Sequence, residues 1–571
     1  MKTDIWKKGL LRGFGRVQQA VERNIGMIFG LFFLNYFTIL WTNIHMYRMD
    51  QLAVVLIDGV FLLVGTGMYV VLLDLVPVNA LRRFLFAASF FISGVLGGLE
   101  LFSICNYQAL VGAGIVTAVL QTNPAEAGEF LGRYVGWKGA LLILFGAAAF
   151  WFGYCRLTGL RFSMMRRRWQ NRLLSAAFLA GLLAAGVLWN HYHSFVLNDS
   201  LDIPAVQIQR AVDRSLDDIE AYKRMEEEME QSVELTANEG DIPYVVFILG
   251  ESTYRGRMHL YGYDLENTPH LDEMERKGEL AVFRDTISPQ SATVAVLKEL
   301  FTFHDAESDM EWYQYNNLMD VLGAAGYKTF WLSNQESSGI WGNVAQLYAN
   351  RCTKKAYTSL RESREDHGRL DEELLPLLDA ALEEAGEKNF YVLHLMGGHG
   401  LYYMRFPYLF TKFAAEDIHG EQAELSEEKR TELAQYANAL FYNDDVVSSI
   451  IDRFRGKNAI VIYLPDHGET IYDDGSNFSG HVEENPNRYT LEVPMVFWAS
   501  ESFRARYPEK WTAITSAVSC PYMTDDMIHT LLDLMDIRTS EYDAAKSVIN
   551  ESFDRQRKRI IQGRDYDTSM R

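Results

Sequence analysis

Apolar and polar positions along the chain fall into two regimes. Up to about residue 200, long apolar runs are broken by short polar stretches. Beyond residue 240 the apolar runs shorten and alternate with amphipathic stretches. Five runs in the first regime, at 25–43, 52–76, 84–105, 137–155 and 173–189, reach the length of about 17–25 residues that carries a helix across a bilayer core. One such run is compatible with a signal peptide. Five in series, with no small-residue cleavage pattern after the first, predict a polytopic anchor. Residues 201–237 then place Ile208, Ala211, Val212, Leu216 and Ile219 at helical spacing, which predicts an amphipathic bridging helix.

In the second regime, short β-rich apolar runs occupy 244–249, 328–332, 390–394, 459–464 and 493–498, with helical stretches such as 370–384 and 429–454 between them. Buried strands alternating with helices predict an α/β domain with a mostly parallel sheet between helical layers. The predicted organisation is a five-span transmembrane domain over 1–195, a bridging amphipathic helical linker over 196–240, and an α/β domain over 241–571.

Charge sharpens this division. The chain has 571 residues, 48% apolar and 23% charged, a globular composition that excludes disorder. Residues 1–200 hold 17 Lys and Arg against 9 Asp and Glu, a net of +8; residues 201–571 hold 37 against 66, a net of −29. So acidic a surface repels phosphate backbones and excludes nucleic acid as a partner. Of the 17 cations in the first part, 14 fall before the first run, in the second loop (Arg82, Arg83) or in the fourth (156–172). That side is read as cytoplasmic. An odd number of spans then puts 190–571 outside, which in a two-membrane bacterium is the periplasm. The four cysteines include no CxxC pair, which excludes a thiolate zinc site and a dense disulfide scaffold. Cys352 and Cys520 both fall in the outer part, where pairing is chemically open. Asp58 and Glu100 lie inside predicted spans, either reaching interfacial water or lining a cavity for a polar lipid headgroup.

In open α/β sheets the chemistry gathers at the carboxyl ends of strands. The first strand runs into Gly250-Glu251-Ser252-Thr253, a later one into Pro465-Asp466-His467-Gly468-Glu469, and another into His394 with Gly397-Gly398-His399-Gly400 close behind. Carboxylates and an imidazole converging on one edge suit a catalytic divalent metal, zinc in the first place. A strand-end Glu alone is often a cap and a lone Asp-His pair is often structural; two such groups, each after an apolar strand, favour the metal. Segment 288–297 adds the hydroxyls of Ser288, Ser291 and Thr293 just before a helical apolar run. That position suits a phosphate or a metal-activated nucleophile, though Ser and Thr also serve there as helix caps. The residues alone leave Ser291 and Thr293 as alternatives.

These motifs carry a resemblance. Gly250-Glu251-Ser252-Thr253-Tyr254-Arg255-Gly256-Arg257-Met258, followed by Leu260-Tyr261-Gly262-Tyr263 and Thr268-Pro269, then Phe390-Tyr391-Val392-Leu393-His394-Leu395-Met396-Gly397-Gly398-His399 and Asp466-His467-Gly468-Glu469, resemble the phosphoethanolamine transferases of the alkaline phosphatase/sulfatase superfamily, and most closely those that modify the heptose of lipopolysaccharide core. The resemblance runs over nearly the whole chain and implies a sulfatase-like domain behind a bacterial inner-membrane anchor. It implies one zinc ion, with a second open, held by Glu251, Asp466, His467 and the catalytic threonine, which aligns with Thr293. It implies His399 and His481 at the transferred phosphate or on a second zinc, a substrate role for His394, and contact of Thr122 and Glu126 with the donor headgroup. The donor so implied is phosphatidylethanolamine in the membrane, and the acceptor is lipopolysaccharide or another envelope glycan. The lipid A-modifying branch flanks its threonine with cysteines, where this chain has Pro289 and Glu299, and it carries an asparagine where this chain has Ala118. No Cys/Ser-x-Pro-x-Arg run is present, so no formylglycine nucleophile is implied. Two rival readings are a phosphoglycerol transferase of the same superfamily and a catalytically silent membrane sensor or scaffold.

Overall fold

The computed structural model describes residues 2–45, 52–107 and 151–156, short pieces between 111 and 224, and residues 233–571 apart from 336–343, 359–369 and 476–477. The chain forms two compact units, one of Met1–Ala113 with Gly128–Arg214, the other of Gly114–Ala127 with Ser215–Arg571.

In the first unit the apolar runs become helices α1 (Lys2–His45), α2 (Leu52–Asp74) and α3 (Asn79–Tyr107). Helix α1 starts far ahead of its apolar run and leaves helical geometry at Asn24, whose amide bonds Ala20 O at 2.9 Å and Asp74 Oδ1 at 3.0 Å. Among the described residues, two helices are long and apolar enough to cross a membrane, Val17–Trp41 and Asn79–Cys105, with Gly59–Asp74 a shorter apolar one. Residues 151–156 are helical; the rest of the fourth predicted span and all of the fifth lie outside the described residues. Met27, Ile28, Leu31, Val70, Phe86 and Phe90 form the packed centre of this unit. Glu100 is buried, and its Oε2 accepts the Val111 N–H at 3.4 Å; the Asp58 side chain lies outside the described residues.

The second unit is built on a seven-stranded sheet. A short outlying strand β1 (Leu235–Asn238) precedes β2 (Tyr244–Gly250), β3 (Leu280–Phe283), β4 (Lys328–Ser333), β5 (Lys354–Tyr357), β6 (Asn389–His394), β7 (Ala459–Pro465) and β8 (Met495–Ala499). Their spatial order is β3–β8–β7–β2–β6–β4–β5. Along β2, Val245, Phe247 and Leu249 enter one apolar core while Val246 and Ile248 enter the other. This is the two-sided burial that a continuous apolar strand requires. Helix α4 (Thr293–Leu300) packs into the first core, and the long helix α5 (Glu427–Asp452) into the second.

The sheet is mostly parallel, as the sequence predicts, with one strand reversed; two further findings depart from the sequence reading. The sheet is mixed: β2, β4, β5, β6 and β7 pair in parallel, but β8 runs antiparallel to both β7 and β3. An apolar run reports burial and not direction, so its sense was not encoded in the pattern. Strands β3 and β5 had no predicted counterpart, being only four residues each. Residues 235–238, read as the end of the bridging helix, instead pair antiparallel with Ile537–Thr539. All four cysteines are free.

Candidate active site

The sheet brings three segments to one edge. In register, Leu249 on β2 lies beside His394 of β6 and Leu464 of β7, and Gly250 lies beside Pro465. The next residues are therefore Glu251 on one strand and Asp466 and His467 on its neighbour. All three are buried. His467 Nε2 lies 3.2 Å from Glu251 Oε1 and 3.5 Å from Asp466 Oδ2. Its Nδ1 donates to Gly468 O at 2.8 Å, which fixes the ring and leaves Nε2 facing the carboxylates. Asp466 Oδ1 accepts the N–H groups of His467 (2.7 Å) and Ser252 (3.4 Å), and its Oδ2 has no hydrogen-bond partner among the described residues.

Thr293 reaches the cluster from the first turn of α4. Its Oγ1 donates to Glu251 Oε2 at 3.1 Å and lies 3.3 Å from His467 Nε2. The Ser291 hydroxyl is buried and donates to Val482 O at 2.7 Å, which removes it from the cluster. Of the two hydroxyls that the sequence left open, Thr293 is the one that touches the cluster.

His481 follows a two-residue strand (Ser479–Gly480) paired with Thr470–Ile471. Its ring centre is 4.0 Å from that of His467. Ligand-type atoms of Glu251, His467 and His481 all lie within 4.8 Å of one another. His399 sits on a turn after β6, its ring centre 6.2 Å from that of His481. His394 is wholly buried, with Nδ1 3.5 Å from Ser333 Oγ and its ring edge-on to Trp331, so it touches protein on all sides rather than open space. Thr122 and Glu126 lie outside the described residues.

Close backbone approach holds the His399 turn against β2. A Cβ on Gly398 would stand 2.6 Å from Ser252 O, and one on Gly397, whose φ is +45°, would stand 2.7 Å from Glu251 O. Only glycine fits either place. The buried Asp371 carboxylate accepts the N–H groups of Met396 (2.8 Å) and Gly397 (3.0 Å) and so fastens the turn from its other side.

Sequence reasoning assigned no role to four neighbours of the site. Gln335 bonds Glu251 Oε2 at 3.2 Å, and the strand-end rule applied to β4 would have found it. Glu469 is buried, accepts from Tyr402 OH at 2.6 Å through Oε1, and pairs with His481 Nδ1 at 2.6 Å through Oε2. Glu469 stands in the quoted Asp-His-Gly-Glu motif. Tyr402 and Asp371 carry no local signal.

The electrostatics are those of a cluster short of positive charge. Burial opposes ionisation of Glu251, but the His467 imidazole holds its carboxyl well below the usual range. Burial, and then the Glu251 charge, push Asp466 up to about 8. Burial disfavours charge on His467 too, yet Asp466 and Glu251 push its imidazole up to about 10. Among the described residues, neither carboxylate pairs with a Lys or Arg. Two buried carboxylates, one with an orphaned oxygen, beside imidazole nitrogens and a hydroxyl make a donor set that fits a divalent cation of the zinc type. Burial pushes His399 and His394 down to about 4, so both are neutral at pH 7.

Comparison with known proteins gives this arrangement its family. Residues 243–537 match the sulfatase family. The phosphoethanolamine transferase EptC of Escherichia coli is 28% identical over 505 residues, which is 84% of this chain and 85% of that one. The crystal structure of the C-terminal periplasmic domain of Escherichia coli EptC, in complex with Zn, superposes with a TM-score of 0.55 at 30% identity over 59% of this chain and 96% of that one. The integral membrane protein lipooligosaccharide phosphoethanolamine transferase A (EptA) from Neisseria meningitidis shares the fold over 91% of this chain and 97% of its own, with a TM-score of 0.65 at 20% identity. That shared fold and the two described helices long and apolar enough to cross a membrane fit a membrane protein with a sulfatase-like α/β unit. The chain belongs to the sulfatase family and, within the alkaline phosphatase/sulfatase superfamily, to the phosphoethanolamine transferases.

Proposed function

We propose that the chain moves phosphoethanolamine from phosphatidylethanolamine, through a covalent intermediate on Thr293, to a lipopolysaccharide acceptor, either core heptose or lipid A. The observation that carries this reading is the Thr293 hydroxyl, set in the first turn of α4 between Glu251 Oε2 and His467 Nε2. The N-terminus of a helix favours a phosphate at that hydroxyl. The reading also takes the anchor as five spans in a bacterial inner membrane, the α/β unit as periplasmic, and Thr122 and Glu126 as contacts for the donor headgroup.

Glu251, Asp466, His467 and Thr293 would hold a zinc ion, with His481 in reach of it or of a second one; bound there, the metal supplies the positive charge that lowers the Thr293 hydroxyl pKa and offsets the phosphate charge. In the first step Thr293 Oγ1 bonds to the donor phosphorus as the bond to the glycerol oxygen breaks. The hydroxyl proton passes to the Glu251 carboxylate, whose Oε2 already accepts the Thr293 hydroxyl at 3.1 Å. His481, its Nδ1 fixed by Glu469, gives a proton to the departing diacylglycerol oxygen. His399, neutral by burial, lends a hydrogen bond to the phosphate without repelling the ammonium end of the headgroup. In the second step the acceptor hydroxyl oxygen bonds to phosphorus, its proton goes to His481, and Thr293 leaves as a hydroxyl by taking its proton back. Most of the work is positioning and charge neutralisation.

The test is mass spectrometry of the zinc-loaded full chain in detergent after incubation with phosphatidylethanolamine. A phosphoethanolamine adduct on the peptide holding Thr293 is expected. A phosphoglycerol adduct, formed only with phosphatidylglycerol, would replace the donor. A protein that binds neither metal nor adduct would be a silent scaffold.

A further inference from the structure

Residues 401–413, Leu-Tyr-Tyr-Met-Arg-Phe-Pro-Tyr-Leu-Phe-Thr-Lys-Phe, leave the His399 turn and run along α5. They are firmly built. Arg405 Nε donates to His399 O at 2.8 Å. The Asn438 carboxamide on α5 accepts from Lys412 N and Phe413 N at 2.8 Å each and donates to Phe413 O at 2.9 Å. Phe410 packs on Phe441 and Tyr442 with ring centres 5.7 and 4.9 Å away. From this fixed base Tyr408 and Leu409 stand 89% and 92% exposed, and Tyr403 stands 56% exposed. Over the described part of 233–571 the one other large apolar side chain so exposed is Met310. A rigid segment that concentrates apolar side chains in solvent marks an interaction surface.

We propose that this segment is a membrane-contact face of the catalytic unit, with Tyr403, Tyr408 and Leu409 entering the interfacial layer of a bilayer that contains anionic phospholipid. Three observations select a lipid surface over a protein partner. The described residues of the same chain include two helices long and apolar enough to cross a membrane, which would keep a bilayer within its reach. Tyrosines beside a leucine have the composition of interfacial belts, an apolar body with a polar tip. Residues 396–415 contain no Asp or Glu but do contain Arg405 and Lys412, in a part of the chain whose net charge is −29. An acidic unit meets less repulsion from anionic headgroups across such a gap in its charge. The segment starts beside His399, so the same contact brings the site to where lipid headgroups are. The inference stands on exposure, anchoring and charge, independently of the chemistry at Thr293.

The test uses the full chain in nanodiscs of phosphatidylethanolamine and phosphatidylglycerol. Tyr408→Cys is labelled with an environment-sensitive fluorophore in a background of Cys105→Ser, Cys155→Ser, Cys352→Ala and Cys520→Ala. Glu509→Cys, an exposed position elsewhere on the unit, is the control. Lipids brominated high in the acyl chain should quench the probe at 408 and leave that at 509 unchanged. No quenching at 408, equal quenching at both, or a change at 408 that requires added lipopolysaccharide or a second copy of the chain would each overturn the proposal. None of these readouts depends on activity. A second variant, Tyr408→Ser/Leu409→Ser with native cysteines, covers loss of the cysteine-free fold. Its KM for donor in bilayers should rise about tenfold, with turnover of a short-chain donor dispersed in detergent unchanged. Equal loss on both donors, or loss on neither, would count against a membrane face.

Discussion

The second unit buries two clusters of carboxylates and neutralises them in opposite ways. In one, Asp305, Asp525 and Asp526 meet cations of the same chain: Arg557 lies 2.8 Å from Asp525 Oδ2 and 2.6 Å from Asp526 Oδ2, and Lys546 pairs with Asp305. Burial disfavours the charge on Arg557, yet Asp525 and Asp526 hold its guanidinium firmly protonated. In the other, the ion-pair partner of Glu251 and Asp466 among the described residues is the His467 imidazole, with no Lys or Arg. Burial of charge is costly unless it is paired. The first cluster is held by ion pairs to cations of its own chain, which tie the tail of the chain to the 524–526 turn that packs on α4. The second is left electrostatically open, which is the condition for taking up a cation and a phosphate. Similar residue types thus serve architecture in one place and, in the function proposed above, chemistry in the other.

The sharpest division of the two would come from Thr293→Ala. Transfer should fall by about a thousandfold or more, with metal content and thermal stability unchanged. Radiolabelled donor turnover and metal analysis read this; substantial transfer by the variant would remove Thr293 from its role. Next come two charge deletions of opposite consequence. Arg557→Ala strands Asp525 and Asp526 and should cost about 3–5 kcal/mol of stability, seen as a lowered Tm, while metal content stays normal. Asp466→Asn should lose metal and transfer, yet leave the metal-free protein as stable as before or more so, because one of two neighbouring buried carboxylates is gone. If both deletions destabilise the metal-free protein alike, the contrast between the clusters collapses.

Glu469→Gln should lower kcat about 10–100-fold while KM and Tm hardly move, because the His481 ring loses its orienting carboxylate. A Glu469→Asp variant recovering part of that rate would separate orientation from mere packing. The smallest effect concerns His529, beside the first cluster, which burial pushes down to about 4. Between pH 4 and its ordinary value near 6.5 the unfolded chain takes up a proton that the folded chain refuses. Stability therefore falls as pH drops through that window, by at most about 1.4 kcal/mol per pH unit for this group. His529→Asn, whose Oδ1 can still accept the Asp543 N–H that Nδ1 accepts at 3.1 Å, should flatten that slope in denaturant titrations.

Five of the seven sheet strands were legible because each is a continuous buried run, as along 459–464. The four-residue Lys354–Tyr357 strand, half exposed at the sheet edge, offers no such run. The direction of β8 was illegible for a different reason: burial on both faces is the same for either sense of the strand. At the site, Glu251, Asp466 and His467 were found by the rule of strand ends, which needs only a strand boundary. Ser291 and Thr293 are both hydroxyls near a helix start, and only the three-dimensional fate of each, Val482 O for one and Glu251 for the other, separates them. Asp371 lies over a hundred residues from the Glu251 segment whose neighbouring turn it fastens. No local pattern reports so distant a contact.

Strand β2 is hydrogen-bonded in unbroken register to β6 from Tyr244 beside Asn389 to Leu249 beside His394, and to β7 from Tyr244 beside Ala459 to Gly250 beside Pro465. The three segments that reach the edge are in this sense mounted on one bench. Thermal vibration, or a tug transmitted from a lipid surface, displaces them together, so their spacings vary less than their positions. For the lipid donor proposed above, itself drifting in a fluid sheet, the consequence is a site that can ride with its target while the distances that decide the reaction stay put.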